Sequence, residues 1–374
     1  GFSIIQLVMT TNINDIPSLS FASSVESVMI ATDADINVHI VLTADDGSVV
    51  FDNTAKYSPV NGAVEVQDID ELLNSSVLAL VDASRMTTPG PRGTGLRMNI
   101  TAGSSSASCR LLYMSRPMGG IVPHFATQIR KRNIYRGQQF PLSVVTAGQQ
   151  LKVVAGVAYR DGAAMKYTEK ELAVDSSSDY YTMEAGTNGM FSLLKAMLSD
   201  ERSIASYTLT LCSAGGQQFD KITCTVKDAM PGQATQFVFL SFYGVPETFT
   251  FVGHDEEKQS LDSDFGFAGR EYVRLDPSLV EEHEANSGWI THEERATVYD
   301  LMESPLVFVV DGGELHRVAI TDVDSSIERP TNEPDAIALT WRYADTRYMR
   351  RPVSKPDTDS GHVFSRPPFD RTFN

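Results

Sequence analysis

Val38, Ile40 and Leu42 share one side of an extended chain while His39, Val41 and Thr43 take the other. That two-residue period is the signature of a half-buried β-strand. The same character fills the N-terminal third: SVESVMIATD, INVHIVLTA, SVVFDN, AVEVQDI, SVLALVDA, GLRMNITAG and SCRLLYMSR are short runs rich in Val, Ile, Leu and Thr. Turn-formers such as Asp45-Asp46-Gly47 and Asn61-Gly62 separate them. Seven such runs predict a β-sandwich-like domain over residues 1–119. Single cores stop growing at roughly 250–300 residues, so a chain of 374 residues is expected to hold further domains. A boundary fits at Pro117-Met118-Gly119-Gly120.

Residues 120–235 read as a second β-rich domain, with FPLSVVT, QLKVVAGVAYR, KYTEKELAV, SYTLTLCSA and KITCTVKDA as strands. Asp161-Gly162 closes a hairpin between two of them. One stretch, GMFSLLKAMLSDE (189–201), has the apolar spacing of a short helix. Near the start of this second domain Arg130, Lys131, Arg132 and Arg136 flank Tyr135. Basic residues around an aromatic are the composition of a nucleic-acid contact, but four charges on an acidic protein are better read as a solvated strand end. Cys109, Cys212 and Cys224 form neither a C-x-x-C nor an even set, so no zinc site or disulfide framework is signalled. Cys212 and Cys224 could face each other across a hairpin, or remain buried thiols.

Residues 236–349 predict an acidic α+β domain. FVFLSFYGVPETFTFVG supplies two strands broken at Gly244-Val245-Pro246. Thr291-His-Glu-Glu294 is a capping box opening a helix to Glu303, with Val298, Leu301 and Met302 on one face. Ser304-Pro305 ends it. Leu306–Val310 and Leu315–Ile320 then form a hairpin about Asp311-Gly312-Gly313, and Ala336–Tyr343 alternates as a final strand. The fold expected is mainly β: two tandem β-sandwich-like domains, an α+β domain with a strand–helix–hairpin core, and an extended C-terminal arm.

Charge and motifs exclude several functions. Of the formal charge of −17, residues 236–349 carry −15, which argues against nucleic-acid binding, since that needs Lys and Arg to displace counterions. HDEEKQSLDSDFG holds five carboxylates (Asp255, Glu256, Glu257, Asp262, Asp264), but their spacing is not that of a calcium loop, so an exposed acidic loop is expected. THEER is not HExxH, and the loop TTPGPRGTG (87–95) lacks the G-K-[ST] of a phosphate loop. There is no G-x-S-x-G elbow, and no carboxylate pair stands out as a hydrolytic site. No cofactor, metal or catalytic residue is expected, and the chain reads as non-enzymatic. It has no apolar run of transmembrane length and no basic n-region at its start, so it reads as soluble, without a membrane span or signal.

The segment 350–374, RPVSKPDTDSGHVFSRPPFDRTFN after Arg350, is Pro-rich and basic, with Phe364, Phe369 and Phe373 near its end. Proline removes donors and favours extended backbone, so this segment is expected to be an arm that docks onto its own chain or a neighbour. Together with Phe242-Tyr243-Gly244-Val245-Pro246-Glu247-Thr248-Phe249-Thr250-Phe251, THEE…VYDLMESPLVFV and the long final strand, it resembles structural proteins from prophages of Bacteroides-type gut bacteria, minor tail or virion components. The likeness covers roughly the last 140 residues. It implies a structural protein assembled in the bacterial cytoplasm into a virion, whose partners are other tail proteins or copies of itself. The alternative is an adhesive β-sandwich that binds carbohydrate or a surface receptor. Exposed aromatics would then stack on sugar, with Tyr180, Tyr181, Trp289 and Tyr299 as candidates.

Overall fold

The computed structural model describes residues 12–345 apart from 14–15, 82–85, 93–94, 117–120, 199, 201–202, 229, 269 and 325–335. The expected arm, with Phe364, Phe369 and Phe373, lies outside the described residues, as does the expected boundary at 117–120.

The first unit comprises β1 (Asn12–Ile13), β2 (Leu19–Phe21), β3 (Val28–Ala31), β4 (Ile36–Ala44), β5 (Val49–Tyr57), β6 (Ala63–Val66), α1 (Ile69–Leu78), β7 (Gly90–Arg92), β8 (Leu96–Ala102) and β9 (Ser105–Leu112). A five-stranded sheet runs β2-β9-β8-β4-β5, and a three-stranded one runs β1-β3-β6. The alternation in β4 buries Val38, Ile40 and Leu42 against Leu96, Met98 and Ile100 and the small sheet's Ile30, Val64 and Val66. Asn61 and Gly62, both at positive φ, make the tight turn into β6.

SVLALVDA is not a strand. Its first residues end α1, whose Ile69, Leu73 and Val77 recur every four residues and are buried. Asp70, Glu71 and Asn74 between them face outward or the rim. The helical period starts before the apolar run that suggested a strand.

The second unit comprises β10 (His124–Phe125), β11 (Lys131–Tyr135), β12 (Pro141–Val145), β13 (Leu151–Asp161), β14 (Ala164–Ala173), β15 (Tyr180–Glu184), α2 (Thr187–Leu194), β16 (Ile204–Ser213) and β17 (Gln218–Lys227). Its sheets are β10-β12-β15-β7 and β11-β17-β16-β13-β14. β7 belongs to residues 1–119 yet pairs with β15, so the first two units share a sheet. Helix α2 ends at Leu194, shorter than the spacing over 189–201 predicts. The cysteines do not face each other: Cys212 lies opposite Gln218, and Cys224 opposite Tyr207. All three thiols are free and buried.

The third unit comprises β18 (Thr235–Leu240), β19 (Pro246–Phe251), β20 (Asp255–Ala268), β21 (Glu271–Asn286), α3 (His292–Glu303), β22 (Val307–Asp311), β23 (Glu314–Asp324) and β24 (Ala338–Tyr343). They form one seven-stranded sheet, β19-β18-β22-β23-β24-β21-β20. Val298 and Leu301 of α3 join Phe237, Phe251, Leu339 and Trp341 in its core. The capping box is formed: the Thr291 hydroxyl accepts from the Glu294 N–H at 3.3 Å, and the Glu294 carboxylate accepts from the Thr291 N–H at 2.8 Å. Gly312 and Gly313, at φ 57° and 87°, supply the two-residue turn between β22 and β23.

The acidic run 254–266 is no loop. Residues 255–268 form β20, paired with β21 from Asp255–Ala285 out to Ala268–Glu271. Acidic residues are poor strand formers, and the long ladder to β21 overrides that local preference. The protein is thus mainly β and multi-domain, with its helices packed on sheets. Among the described residues, no helix is long and apolar enough to cross a membrane.

Candidate functional site

The loop Ser287-Gly288-Trp289-Ile290 leads from β21 into α3, and its conformation is held from several sides. The Ser287 N–H donates to the Ile337 carbonyl at 2.8 Å, and the Ile337 N–H donates to Ser287 Oγ at 2.9 Å. The Gly288 N–H donates to Asn286 Oδ1 at 2.9 Å. Gly288 has φ 68°, and a Cβ on the neighbouring Gly253 would lie 2.9 Å from the Gly288 nitrogen, so both positions need glycine. Ile290 is consequently buried while the Trp289 indole is 83% exposed. An indole left in water by a well-anchored loop is unusual, because apolar surface gains by burial.

Trp289 borders a cleft of about 90 Å³ between the second and third units, which Arg132, Tyr135, Gln138, Thr250 and Glu294 also line. The Tyr135 phenol is held above the usual tyrosine range, first by burial and second by the Glu294 charge. Gln138 is fixed: its Oε1 accepts from the Tyr135 N–H at 2.9 Å, and its Nε2 donates to Thr250 Oγ1 at 2.7 Å.

Arg132 forms part of the cleft wall, and it corrects the reading of the basic patch as a solvated strand end. It is buried, and its Nη2 donates to Glu247 Oε1 at 2.8 Å and to Thr127 Oγ1 at 3.1 Å. Nη1 donates to the Thr248 carbonyl at 2.8 Å, and the guanidinium lies 4.6 Å from the Phe140 ring centroid. Its Nε is buried without a partner. Arg130 pairs with Asp220 at 3.2 Å and Arg136 with Asp228 at 3.5 Å, leaving Lys131 exposed. The patch is therefore mostly inter-strand glue. The physical reason lies in β11, which runs parallel to β17 and turns Arg132 toward β19.

The four aromatic candidates are not brought together. Tyr180 is wholly buried among Phe21, Leu112 and Tyr243, and burial holds its phenol well above the usual range. It cannot stack on a ligand. Tyr181, its neighbour on β15, is half-buried against the core of the second unit, and Tyr299 is half-buried against that of the third. Only Trp289 stands on an open surface. Tyr135, Gln138 and Glu294 were not singled out as site residues by sequence. Tyr135 on β11, Gln138 in the loop after it and Glu294 in the first turn of α3 meet at one cleft only through tertiary packing, which no local spacing reports.

The second exposed feature is the β20–β21 hairpin. β24 pairs with β21 only from His283 to Asn286, whereas β20 pairs with β21 along nearly its whole length. Beyond His283 the two strands continue as a ribbon of about twelve residues per strand, on the order of 40 Å at the usual strand rise. Residues 255–286 hold ten Asp and Glu against three Lys and Arg. At the ribbon's base Lys258 pairs with Glu284. Among the described residues no group of His, Cys, Asp and Glu converges as a metal site.

No family model matches the chain, and no curated protein matches it. Among solved structures it is similar to the calcium binding domain CBD12 of CALX1.1, at 7% identity and a TM-score of 0.18 over 59% of this chain and 100% of that one. It is also similar to trypsin-activated alpha-2-macroglobulin from Escherichia coli, at 9% identity and a TM-score of 0.17 over 73% of this chain and 22% of that one. A third likeness is to protocadherin gamma B7 extracellular cadherin domains 1–4, at 10% identity and a TM-score of 0.14 over 74% and 72% of the two chains. TM-scores this low carry no argument about fold or function.

Proposed function

We propose that this is a non-enzymatic structural protein that engages a neighbouring subunit in an assembly, of the kind found in phage-type tails or virions. The observation that carries the reading is the acidic ribbon, which continues past the last residue pair that β24 makes with β21. A two-stranded ribbon is marginal alone in water, and its free edges invite a third strand from elsewhere. The resemblance of the last 140 residues to minor tail proteins points the same way. The test is light scattering with negative-stain imaging on the full chain and on a variant with 259–282 replaced by a short turn. Rings, fibres or defined oligomers lost with the ribbon support the reading. A monomer at every concentration, unchanged by the replacement, overturns it.

A second reading rests on Trp289. An exposed indole beside fixed amide and carboxylate groups is the chemistry of a sugar-stacking surface, with the apolar ring face against a pyranose and polar neighbours on its hydroxyls. A glycan array with the wild type and Trp289→Ala tests it. Equal binding by both proteins, or none by either, counts against a sugar site at this cleft.

A further inference from the structure

β14 is the last strand of the sheet β11-β17-β16-β13-β14, and its one strand neighbour among the described residues is β13. It is exposed on both faces apart from the half-buried Thr168 and Leu172. The Val174 N–H donates to the Leu151 carbonyl at 3.2 Å, and the pairing runs on without a bulge from Lys152–Ala173 to Asp161–Ala164. Hydrogen-bonded and non-bonded pairs alternate along an antiparallel ladder. Lys166, Thr168 and Lys170 therefore bond to β13, while Met165, Tyr167, Glu169 and Glu171 turn their N–H and C=O groups outward. An open edge of this length is a template for another strand.

Its side chains are not those of a solvated rim. Met165 is 57% exposed and Tyr167 63% exposed. The Tyr167 phenol is held over its own sheet: a Cβ on Gly156 would lie 2.1 Å from its hydroxyl, which donates to Glu169 at 2.9 Å. Both side chains leave apolar surface in water that would gain by burial. Lysines on an edge often keep strands apart. Here Lys166 is already paired with Asp161 of its own hairpin, and the charges select a register instead of forbidding one.

Two copies of β14 meeting antiparallel about a two-fold axis set residues of the same face opposite each other, centred on one residue. Centred on Thr168, Lys166 faces Lys170. Centred on Lys166, Glu169 or Lys170, the central charge faces its own copy. Like charges directly opposite destabilise a strand pair, and centres nearer either end pair few residues. Centred on Tyr167, no like charges meet: Lys166 faces Thr168, Met165 faces Glu169, Ala164 faces Lys170, and the two tyrosines adjoin at the axis. We propose that β14 pairs in this register with β14 of a second copy, joining two five-stranded sheets into one. The contact lies in the second unit and does not rest on the ribbon or on the virion reading above.

Sedimentation velocity over a concentration series reads the dimer. Tyr167→Glu and Tyr167→Lys each set like charges at the axis, and each is expected to raise the dissociation constant about tenfold or more. Mixing the two variants in equal amounts sets opposite charges face to face and should recover wild-type association, which two misfolded proteins could not do. In the wild type, exchange at the Met165, Tyr167 and Glu169 amides should slow as concentration rises, while Lys166, Thr168 and Lys170, already bonded to β13, stay unchanged. The chain with 259–282 replaced by a short turn should dimerise as the wild type does. A wild type that is monomeric at every concentration, single variants that associate undiminished, or a mixture that does not recover overturns the proposal. Loss of the dimer on replacing the ribbon also overturns it, and upholds the ribbon contact alone.

Discussion

Gly244 is packed so closely on Tyr113 that a Cβ at 244 would lie 2.7 Å from the Tyr113 ring. The contact joins the first and third units. It is reinforced by the Ser115 N–H, which donates to the Phe242 carbonyl at 3.0 Å, while a 2.9 Å hydrogen bond between His124 Nε2 and the Tyr243 hydroxyl ties the second unit to the same turn. Gly244 also has φ 72°, a left-handed conformation that costs other residues energy. Gly244→Ala is therefore expected to destabilise the chain by roughly 2–4 kcal/mol, from backbone strain plus overpacking. Gly312→Ala, at φ 57° with nothing near its Cβ, should cost only about 1–2 kcal/mol. Urea unfolding of the two variants compares them directly; equal losses would show that the Tyr113 contact contributes nothing.

The Arg132–Glu247 pair links β11 to β19 out of reach of water. Removing one partner strands the other charge, so Arg132→Met should cost about 3–5 kcal/mol. Arg132→Met combined with Glu247→Gln should recover part of that loss, because no unpaired charge remains. A double-mutant cycle measures the coupling, and additive losses would mean the two side chains stabilise the fold independently.

Asp300 predicts a pH dependence. Burial pushes its carboxyl up to about 7, with Glu247 and Glu303 adding to the shift and the Phe242 N–H and Arg116 opposing it. A carboxyl that binds its proton more tightly folded than unfolded favours the native state at low pH. That contribution is lost as pH rises from the unfolded value near 4 through about 7. His124 acts in the opposite sense: burial lowers its imidazole, so its contribution is lost as pH falls below 6.5. Asp300→Asn should retain an acceptor for the Phe242 N–H and flatten the decline between pH 4 and pH 7. Thermal unfolding across that range is the measurement, and an unchanged slope in the variant would refute this role.

The two tryptophans should report separately. Trp341 is buried and stacked on His283 with ring centroids 4.2 Å apart, while Trp289 is exposed. Trp289→Phe should remove the red-shifted, acrylamide-quenchable part of the fluorescence and change stability by less than about 0.5 kcal/mol. A large stability loss would place the indole in a packed setting instead.

What the amino-acid sequence determined by itself is the local grammar of the fold. The alternation in 36–44, the Asn61-Gly62 and Gly312-Gly313 turns and the Thr291–Glu294 capping box all occur where their residue types require them. Each depends on neighbours within a few positions, so each is legible in one dimension. Tertiary structure decided the rest. It made SVLALVDA finish a helix, because Ile69, Leu73 and Val77 share a core that the run alone does not reveal. It drew Arg132 inside to meet Glu247, buried Tyr180 while leaving Trp289 in water, and straightened the acidic run 255–268 into one side of a ribbon. For Arg132 and Tyr180 the deciding partners lie far away in the chain, and for 255–268 the partner is the whole length of the next strand; in each the free energy of pairing or burial outweighs local preference.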